Sequence, residues 1–489
     1  MRDHRASTTS APGVIRSAAS LTLVLMIAAC AGAPRPGTDS VRPPSGKSTP
    51  AIAQTPEEKR MHALEEVQTL LGAGQADAAA DEIAQLIEAE PNSGELHLLH
   101  ASALVSAGKL PAARSEVSGL LSTDPANVKA LIMAANLARF AGDDSARRGY
   151  LDRALAAAPQ DEGVLTAWGD YNLDQKAWSK AEDFYRRALA ANPKSSDAAL
   201  GLGRALFRES RLAESEAELS TAISLDPTSA LAYDDRSRVR YQLGKVADAG
   251  SDLDMAVAKA PATAWLRMDR GRYLLDQGRR VEAEADFSKA IELDPGYFLP
   301  YVYRAGIREQ GGHDDLAILD YRKIIELYPD YWYAFDSAGA VAFRLGLWSE
   351  SATDFRLAYG KSPDRYEYAI AASIALWRDG RAKEASAYAA GVAPTIDRDK
   401  NGIYWAMLRL LQDQNDTSSE LESLIQSEKG LDRKAAMLFY LGEYWLCRGR
   451  PEIALACFGQ SGDLKRRDSL EFRLLQAELR RMGKAPAHD

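Results

Sequence analysis

The chain has 489 residues, 46% of them hydrophobic and 26% charged, with a formal net charge of −9 and a pI near 5.4. That balance excludes a nucleic-acid partner held by a general positive field, and the composition is ordinary for a soluble helical protein. Length alone suggests about three domains, a count that the chain's internal repetition overrides. At the amino terminus, Arg2, Arg5 and Arg16 precede an apolar run from Leu21 to Ile27 that ends in small residues before Cys30. The run is too short to span a bilayer, and its flanks are those of a secretory signal.

The stretch Ile27-Ala28-Ala29-Cys30 resembles the bacterial lipobox. The resemblance implies that residues 1–29 are a lipoprotein signal peptide and that Cys30 is lipidated on sulfur, becoming the mature amino terminus. Ala31 is not the aspartate associated with inner-membrane retention, which implies the periplasmic face of the outer membrane in a host with two membranes. The alternative is an ordinary signal peptide with a chance cysteine. Residues 30–56 carry Pro34, Pro36, Pro43, Pro44 and Pro50 among Gly, Ser and Thr, a composition that buries no core and stays extended. At roughly 3.1 Å per residue this tether reaches several tens of ångströms, enough to hold the rest of the chain off a membrane.

From residue 57 onward the chain repeats. Pro91, Pro125, Pro159, Pro193, Pro227, Pro261, Pro295, Pro329 and Pro363 stand 34 residues apart. Seventeen residues before each proline comes glycine, except at Lys176 and Ser210, and eight before comes a large apolar residue from Ile83 to Phe355. Apolar positions recur at helical intervals on both sides of the glycine, so each unit is two helices joined by a tight turn. The glycine ends the first helix in a left-handed cap; the proline follows the second, which it cannot continue. Small residues between the two helices allow them to approach closely.

This pattern resembles the tetratricopeptide repeat, a 34-residue helix-turn-helix unit. Residues 264–297 match best, with Gly271, Gly278, Ala283, Phe287, Ala290 and Pro295 at family positions. The resemblance implies an all-α, right-handed superhelical solenoid of about 12 repeats with a C-terminal capping helix. Ten repeats fill 57–394, nine of them in strict register. The beat then breaks, since Asp397 replaces the expected proline and Pro394 comes early. An irregular repeat at 395–434 is expected to hold a helix from Gly402 to Gln412, a turn at Gln414-Asn415-Asp416 and a helix opened by Ser419 with Glu422. A regular repeat returns within 435–489, marked by Gly442, Gly449, Ala454 and Phe458. A helix from Ser469 to Met482 then covers the last repeat with Leu470, Leu474, Leu475 and Leu479, while Arg473, Arg480 and Arg481 are expected to face water. Cys447 and Cys457, on the two helices of that repeat, are two buried thiols or, less fittingly for their spacing, a disulfide.

A fixed period stacks residues 34 apart into columns. Arg236, Arg270 and Arg304 occupy a position that is usually apolar. In similar family members an aspartate sixteen residues later accompanies such an arginine, here Asp252, Asp286 and Asp320. The partners are either these or Glu218, Asp252 and Asp286 of the preceding repeats, and Asp354 has no arginine in either scheme. A second column, Arg204, Arg238 and Arg272, lies two residues on, a rotation of about 200° toward the concave wall. With Phe207, Arg208, Tyr241 and Trp265 nearby, it forms a candidate partner-binding groove for a peptide or carboxylate-bearing protein; the alternative is a solvated face with arginines paired to Asp234 and Asp276. Sixteen of the 39 aromatic residues fall between Tyr297 and Tyr368. Tyr331, Trp332 and Tyr333 are consecutive and cannot all be buried on one helical stripe, so they form a candidate aromatic patch.

The sequence offers no phosphate loop, nucleophile elbow or zinc-protease motif. His97 and His100 have the spacing of a metal pair, but only Glu95 stands near to join them. No cofactor, metal or enzymatic activity is therefore expected. The closing repeat, FYLGEYWLCRGRPEIALACF, resembles bacterial lipoproteins of the new-lipoprotein-I type. That resemblance implies a membrane-anchored scaffold that binds other envelope proteins, such as peptidoglycan hydrolases, through its groove. The alternative is a fixed lipoprotein subunit of an outer-membrane assembly or export machine for pili, polysaccharide or protein.

Overall fold

The computed structural model describes residues 56–413, 418–464 and 469–484. Cys30, the signal segment, the tether up to residue 55 and the Gln414-Asn415-Asp416 turn lie outside the described residues. Among those described there are 25 α-helices and no strands, and the chain divides into two compact units, one ending at Lys259 and one beginning at Ala260. Unit one holds α1 (Pro56–Gly72), α2 (Ala76–Ala89), α3 (Gly94–Ser106), α4 (Leu110–Thr123), α5 (Val128–Phe140) and α6 (Asp144–Ala157), then α7 (Glu162–Asp174), α8 (Trp178–Ala191), α9 (Ser196–Arg208), α10 (Leu212–Leu225), α11 (Ala230–Gln242) and α12 (Val246–Lys259). Unit two holds α13 (Ala264–Asp276), α14 (Arg280–Leu293), α15 (Phe298–Gln310), α16 (Asp314–Leu327), α17 (Tyr333–Leu345), α18 (Trp348–Lys361) and α19 (Tyr366–Arg378). It continues with α20 (Ala382–Val392), α21 (Arg398–Asp413), α22 (Ser418–Ser427), α23 (Leu431–Cys447), α24 (Pro451–Asp463) and α25 (Leu470–Arg481).

Each repeat is a helix pair, as the ladder requires. In the repeat that begins at α13, Gly278 has φ +74°, and the amides of Gly278 and Arg279 donate to the carbonyls of Leu275 and Leu274, each at 2.9 Å. This is a Schellman closure, which satisfies helix carbonyls that otherwise lack partners. Phe287 of α14 is fully buried, and a Cβ on Gly271 of α13 would lie 2.7 Å from its ring. The missing side chain is therefore what lets α13 and α14 approach. Lys176 and Ser210, which replace glycine in the ladder, take the same left-handed backbone, with φ of 58° and 63°.

A second periodic feature opens the first helices of unit one. Ser93, Asn127, Asp161, Ser195 and Ser229, again 34 apart, cap them by accepting from the amides of Leu96, Ala130, Val164, Ala198 and Ala232. In unit two, Thr263, Tyr297, Trp332 and Arg365 at the corresponding starts make no such side-chain bond.

The structure settles the first arginine column in favour of partners within the same repeat. Arg236 grips Asp252 at 3.0 and 2.7 Å, Arg270 grips Asp286 at 2.6 and 2.7 Å, and Arg304 grips Asp320 at 3.0 and 2.6 Å. Arg240 and Arg308, one turn further on, donate to the same Asp252 and Asp320, each at 2.9 Å, and Arg267 donates to Asp286 at 3.1 Å. The aspartates are almost wholly buried, and each accepts three charged N–H bonds, the arrangement under which a buried charge is tolerated. Asp354 does have an arginine: Arg322 of α16 reaches it at 2.7 Å across 32 residues.

The C-terminal helix departs from expectation. Leu470, Leu474, Leu475 and Leu479 are buried as anticipated, but α25 packs on α17 and α23 as well as on α24. Arg473 is half-buried, and both Arg473 and the still exposed Arg481 reach back to the protein. Arg473 donates to Glu309 of α15 at 2.6 Å, and Arg481 donates to the carbonyls of Phe343 and Arg344 at the end of α17, each at 2.6 Å. The leucine face drives this seat, because the neighbouring walls offer Ile370, Ile374, Phe343 and Phe439 in one continuous core. Arg480, like Arg481, is exposed. In the irregular repeat, α21 is broken at Asn401, with φ −129° and ψ 30°.

Candidate functional site

First helices and second helices do not occupy equivalent places. In unit one, α3 touches α5, α5 touches α7, α7 touches α9 and α9 touches α11, so the first helices share one crowded wall. Residues on that wall are where the groove is expected. In unit two the corresponding contacts are α13 with α15, and α19, α21 and α23 among themselves.

On the wall of unit one, Arg204 of α9 pairs with Asp235 of α11, and Arg238 pairs with the fully buried Asp234 as well as with Asp235 at 3.4 Å. Asp235, on the face between the two arginines, thus bridges adjacent repeats. The upstream part of the wall is likewise self-paired. Asp174 holds Arg139 and the buried Arg147, each at 2.8 Å, and the Tyr185 hydroxyl donates to Asp170 at 2.6 Å. Burial raises the Asp170 carboxyl above its ordinary value, against the lowering effect of that hydroxyl bond. Phe207 is half-buried, Arg208 is exposed with its guanidinium 6.0 Å from the centre of the Trp178 ring, and Tyr241 is 42% exposed. Of the candidate residues in unit one, Arg208 and Tyr241 are exposed and Phe207 is half-buried, while Arg204 and Arg238 are engaged by the protein's own carboxylates.

Trp265 and Arg272 belong to unit two. Trp265 is half-buried on α13, and Arg272 is exposed, its guanidinium 3.8 Å from Asp269. The three consecutive aromatics of the candidate patch divide between core and surface. Tyr331 packs against one core and Trp332 against another, and Tyr333, the first residue of α17, is 55% exposed. Trp332 stacks on Tyr333 at 3.8 Å, Tyr331 lies 5.9 Å from Tyr333, and Phe298 stacks on Tyr328 at 5.2 Å. Phe298 and Tyr328 extend the patch, and the density of aromatics near Tyr331 was the signal for them.

His97 and His100 are joined by Glu116 of α4, not by Glu95. Both nitrogens of His97 face acceptors, Glu116 and the Pro91 carbonyl at 2.9 Å, and its pKa is raised, chiefly by the bond to Glu116. That makes an ion pair between helices, and among the described residues no group of three His, Cys, Asp or Glu is placed to hold a metal. Cys447 and Cys457 are free thiols. A small polar depression of about 250 Å³, lined by Arg322, Ser349, Glu350, Thr353 and Asp354, surrounds the Arg322–Asp354 ion pair. No described helix is long and apolar enough to cross a membrane.

Comparison with known proteins agrees with this architecture. Two tetratricopeptide-repeat family models match, one over residues 172–235 and the other over 64–128 and 235–298. No curated protein matches the chain. Among solved structures, PilF of Pseudomonas aeruginosa is similar at 18% identity over 42% of this chain and 94% of its own, with a TM-score of 0.38. A tetratricopeptide-repeat protein from Parabacteroides merdae is similar at 22% identity over 50% and 96%, with a TM-score of 0.38. PilW, a type IV pilus biogenesis factor, is similar at 15% identity over 42% and 95%, with a TM-score of 0.37. Over residues 64–128 and 172–298 the chain thus matches tetratricopeptide repeats, in keeping with its 34-residue period and its paired helices with left-handed closures.

Proposed function

We propose that this protein is a lipid-anchored scaffold of the bacterial cell envelope that binds other proteins on the first-helix wall of its repeats. The observation that carries the reading is the trio Phe207, Arg208 and Tyr241, the first half-buried and the other two exposed, set on that wall beside arginines already neutralised by Asp234 and Asp235. A scaffold of this kind needs surface, not chemistry. Aromatic rings and an exposed guanidinium on rigid helices bind a partner with little ordering cost. Anchorage through Cys30 and the proline-rich tether complete the proposal: the repeats would search for envelope enzymes from a fixed membrane position.

The ion pairs decide how this should be tested. Replacing Arg238 would remove a counterion of the buried Asp234, which destabilises the fold itself. The informative variant is Phe207→Ala, Arg208→Ala, Tyr241→Ala in the full chain. Crosslinked capture from membranes of the native host, compared by mass spectrometry, should show the main envelope partner reduced at least tenfold with the variant, at unchanged helicity by circular dichroism. Equal recovery of the same partner would remove the site.

A further inference from the structure

The last helix of the chain sits where a partner would. In an array of repeats each unit contacts mainly its neighbours, yet α25 stands outside the 34-residue ladder and returns to the first-helix side of unit two. It reaches Glu309 of α15 through Arg473 and the end of α17 through Arg481, residues 164 and 138 positions apart in sequence from their partners. Between those anchors Leu474, Leu475 and Leu479 fill an apolar seat beside Phe343, Ile370, Ile374 and Phe439. We propose that this seat is a groove for an amphipathic helix and that α25 is its intramolecular occupant, displaced when a partner presents a helix of the same kind. That helix carries a leucine face bounded by arginines eight residues apart, as Arg473 and Arg481 are here.

The polar contacts of α25 are what make it separable. Each receptor side chain has a second partner inside the groove. Glu309 also accepts from Arg344 at 3.1 Å and from the Tyr321 hydroxyl at 2.7 Å. Arg378, which reaches Glu478 at 3.3 Å, also holds the buried Glu443 at 2.9 Å. Trp348 lies under Arg481 at 4.8 Å and also under Arg378 at 4.4 Å. Tyr440, which donates to Glu471 at 2.9 Å, is within 3.4 Å of the Glu367 carbonyl. Departure of α25 therefore strands none of these side chains without a partner, and the two α17 carbonyls return to water at a helix end, where such groups are commonly hydrated. A core helix with dedicated polar partners would leave several buried groups unsatisfied. The leucines keep the groove closed until a competing apolar face replaces theirs. This inference is independent of the trio in unit one, and it is read on a different helix.

The probe is a fluorescein-labelled peptide of residues 469–482 added to the full chain. The native chain should bind it weakly, and the full chain with Arg473→Ala and Arg481→Ala should bind at least tenfold more tightly. A peptide with Leu474→Asp and Leu475→Asp should not bind either. Hydrogen exchange of the native chain provides a reading that needs no variant: amides of α25 should exchange faster than those of α19, through an opening that leaves α19 protected. Exchange of α25 only together with α19 overturns the proposal, as does absence of peptide binding by a double variant whose α19 remains protected.

Discussion

At single positions, the repeat is written in backbone conformation. The glycine column is legible in the sequence because a residue with φ near +70° is cheapest without a Cβ. Lys176 and Ser210 show that the position keeps its geometry when the glycine is gone: the Lys176 amide donates to Leu173 at 3.1 Å and the Ala177 amide to Asn172 at 2.9 Å, the same closure as elsewhere. Left-handed backbone costs a residue with a side chain about 1 kcal/mol. Lys176→Gly and Ser210→Gly should each stabilise unit one, by up to about 1 kcal/mol, measurable as a higher urea midpoint with an unchanged slope; a lower midpoint would mean that those side chains make a contribution of their own. The capping column from Ser93 to Ser229 was equally present in the sequence and harder to see. Serine, asparagine and aspartate serve the same role there, so the position varies in identity while its chemistry is constant.

At the level of helices, the period predicts what stacks but not what bridges. It found Arg236, Arg270, Arg304 and their aspartates, yet left the choice between partners in the same and the preceding repeat open, because both lie within an arginine's reach. It missed Arg322, which serves Asp354 from a second helix 32 residues away, off the 34-residue column. The same blindness hid the seat of α25. Its leucines announced burial, but the wall that receives them lies far back along the chain. One consequence is a pH dependence. Glu471 is buried at the start of α25, with Tyr440 donating to it and with Glu367 and Arg365 as its charged neighbours, and burial pushes its carboxyl up to about 7. Undocked, the group titrates near its ordinary value of 4.5. A raised value in the docked state means that docking is most favourable below about pH 4.5, weakens as pH rises through the interval up to about 7, and is constant beyond it. The full effect is on the order of 3 kcal/mol. Exchange protection of α25, corrected for intrinsic rates, should therefore be lower at pH 8 than at pH 5.5, and Glu471→Gln should flatten the difference. Protection that rises with pH would show that Arg365 outweighs burial.

For the molecule as a whole, fold and attachment pose separate physical problems. The repeats and the closing helix α25 account for the described helices, none of which is long and apolar enough to cross a membrane, and on the proposed reading attachment rests on the lipid at Cys30. A single acyl chain binds a bilayer only marginally, whereas two or more hold a protein stably, at about 0.8 kcal/mol per buried methylene. Lipid on the cysteine sulfur and on the new amino terminus would meet that requirement without any contribution from the helices. Replacing the sulfur removes both the modification and the cleavage that depends on it. In the native host, the protein with Cys30→Ser should lose incorporation of labelled palmitate and, if exported and released, move from the membrane pellet to the soluble fraction. Carbonate-washed membranes distinguish this from loose retention through partners, which the wash removes. A variant that stays in washed membranes with its uncleaved signal could still be held by residues 21–27, so mass spectrometry of the amino terminus completes the measurement. Retention of palmitate label by the variant would place the lipid elsewhere and end the proposal for Cys30.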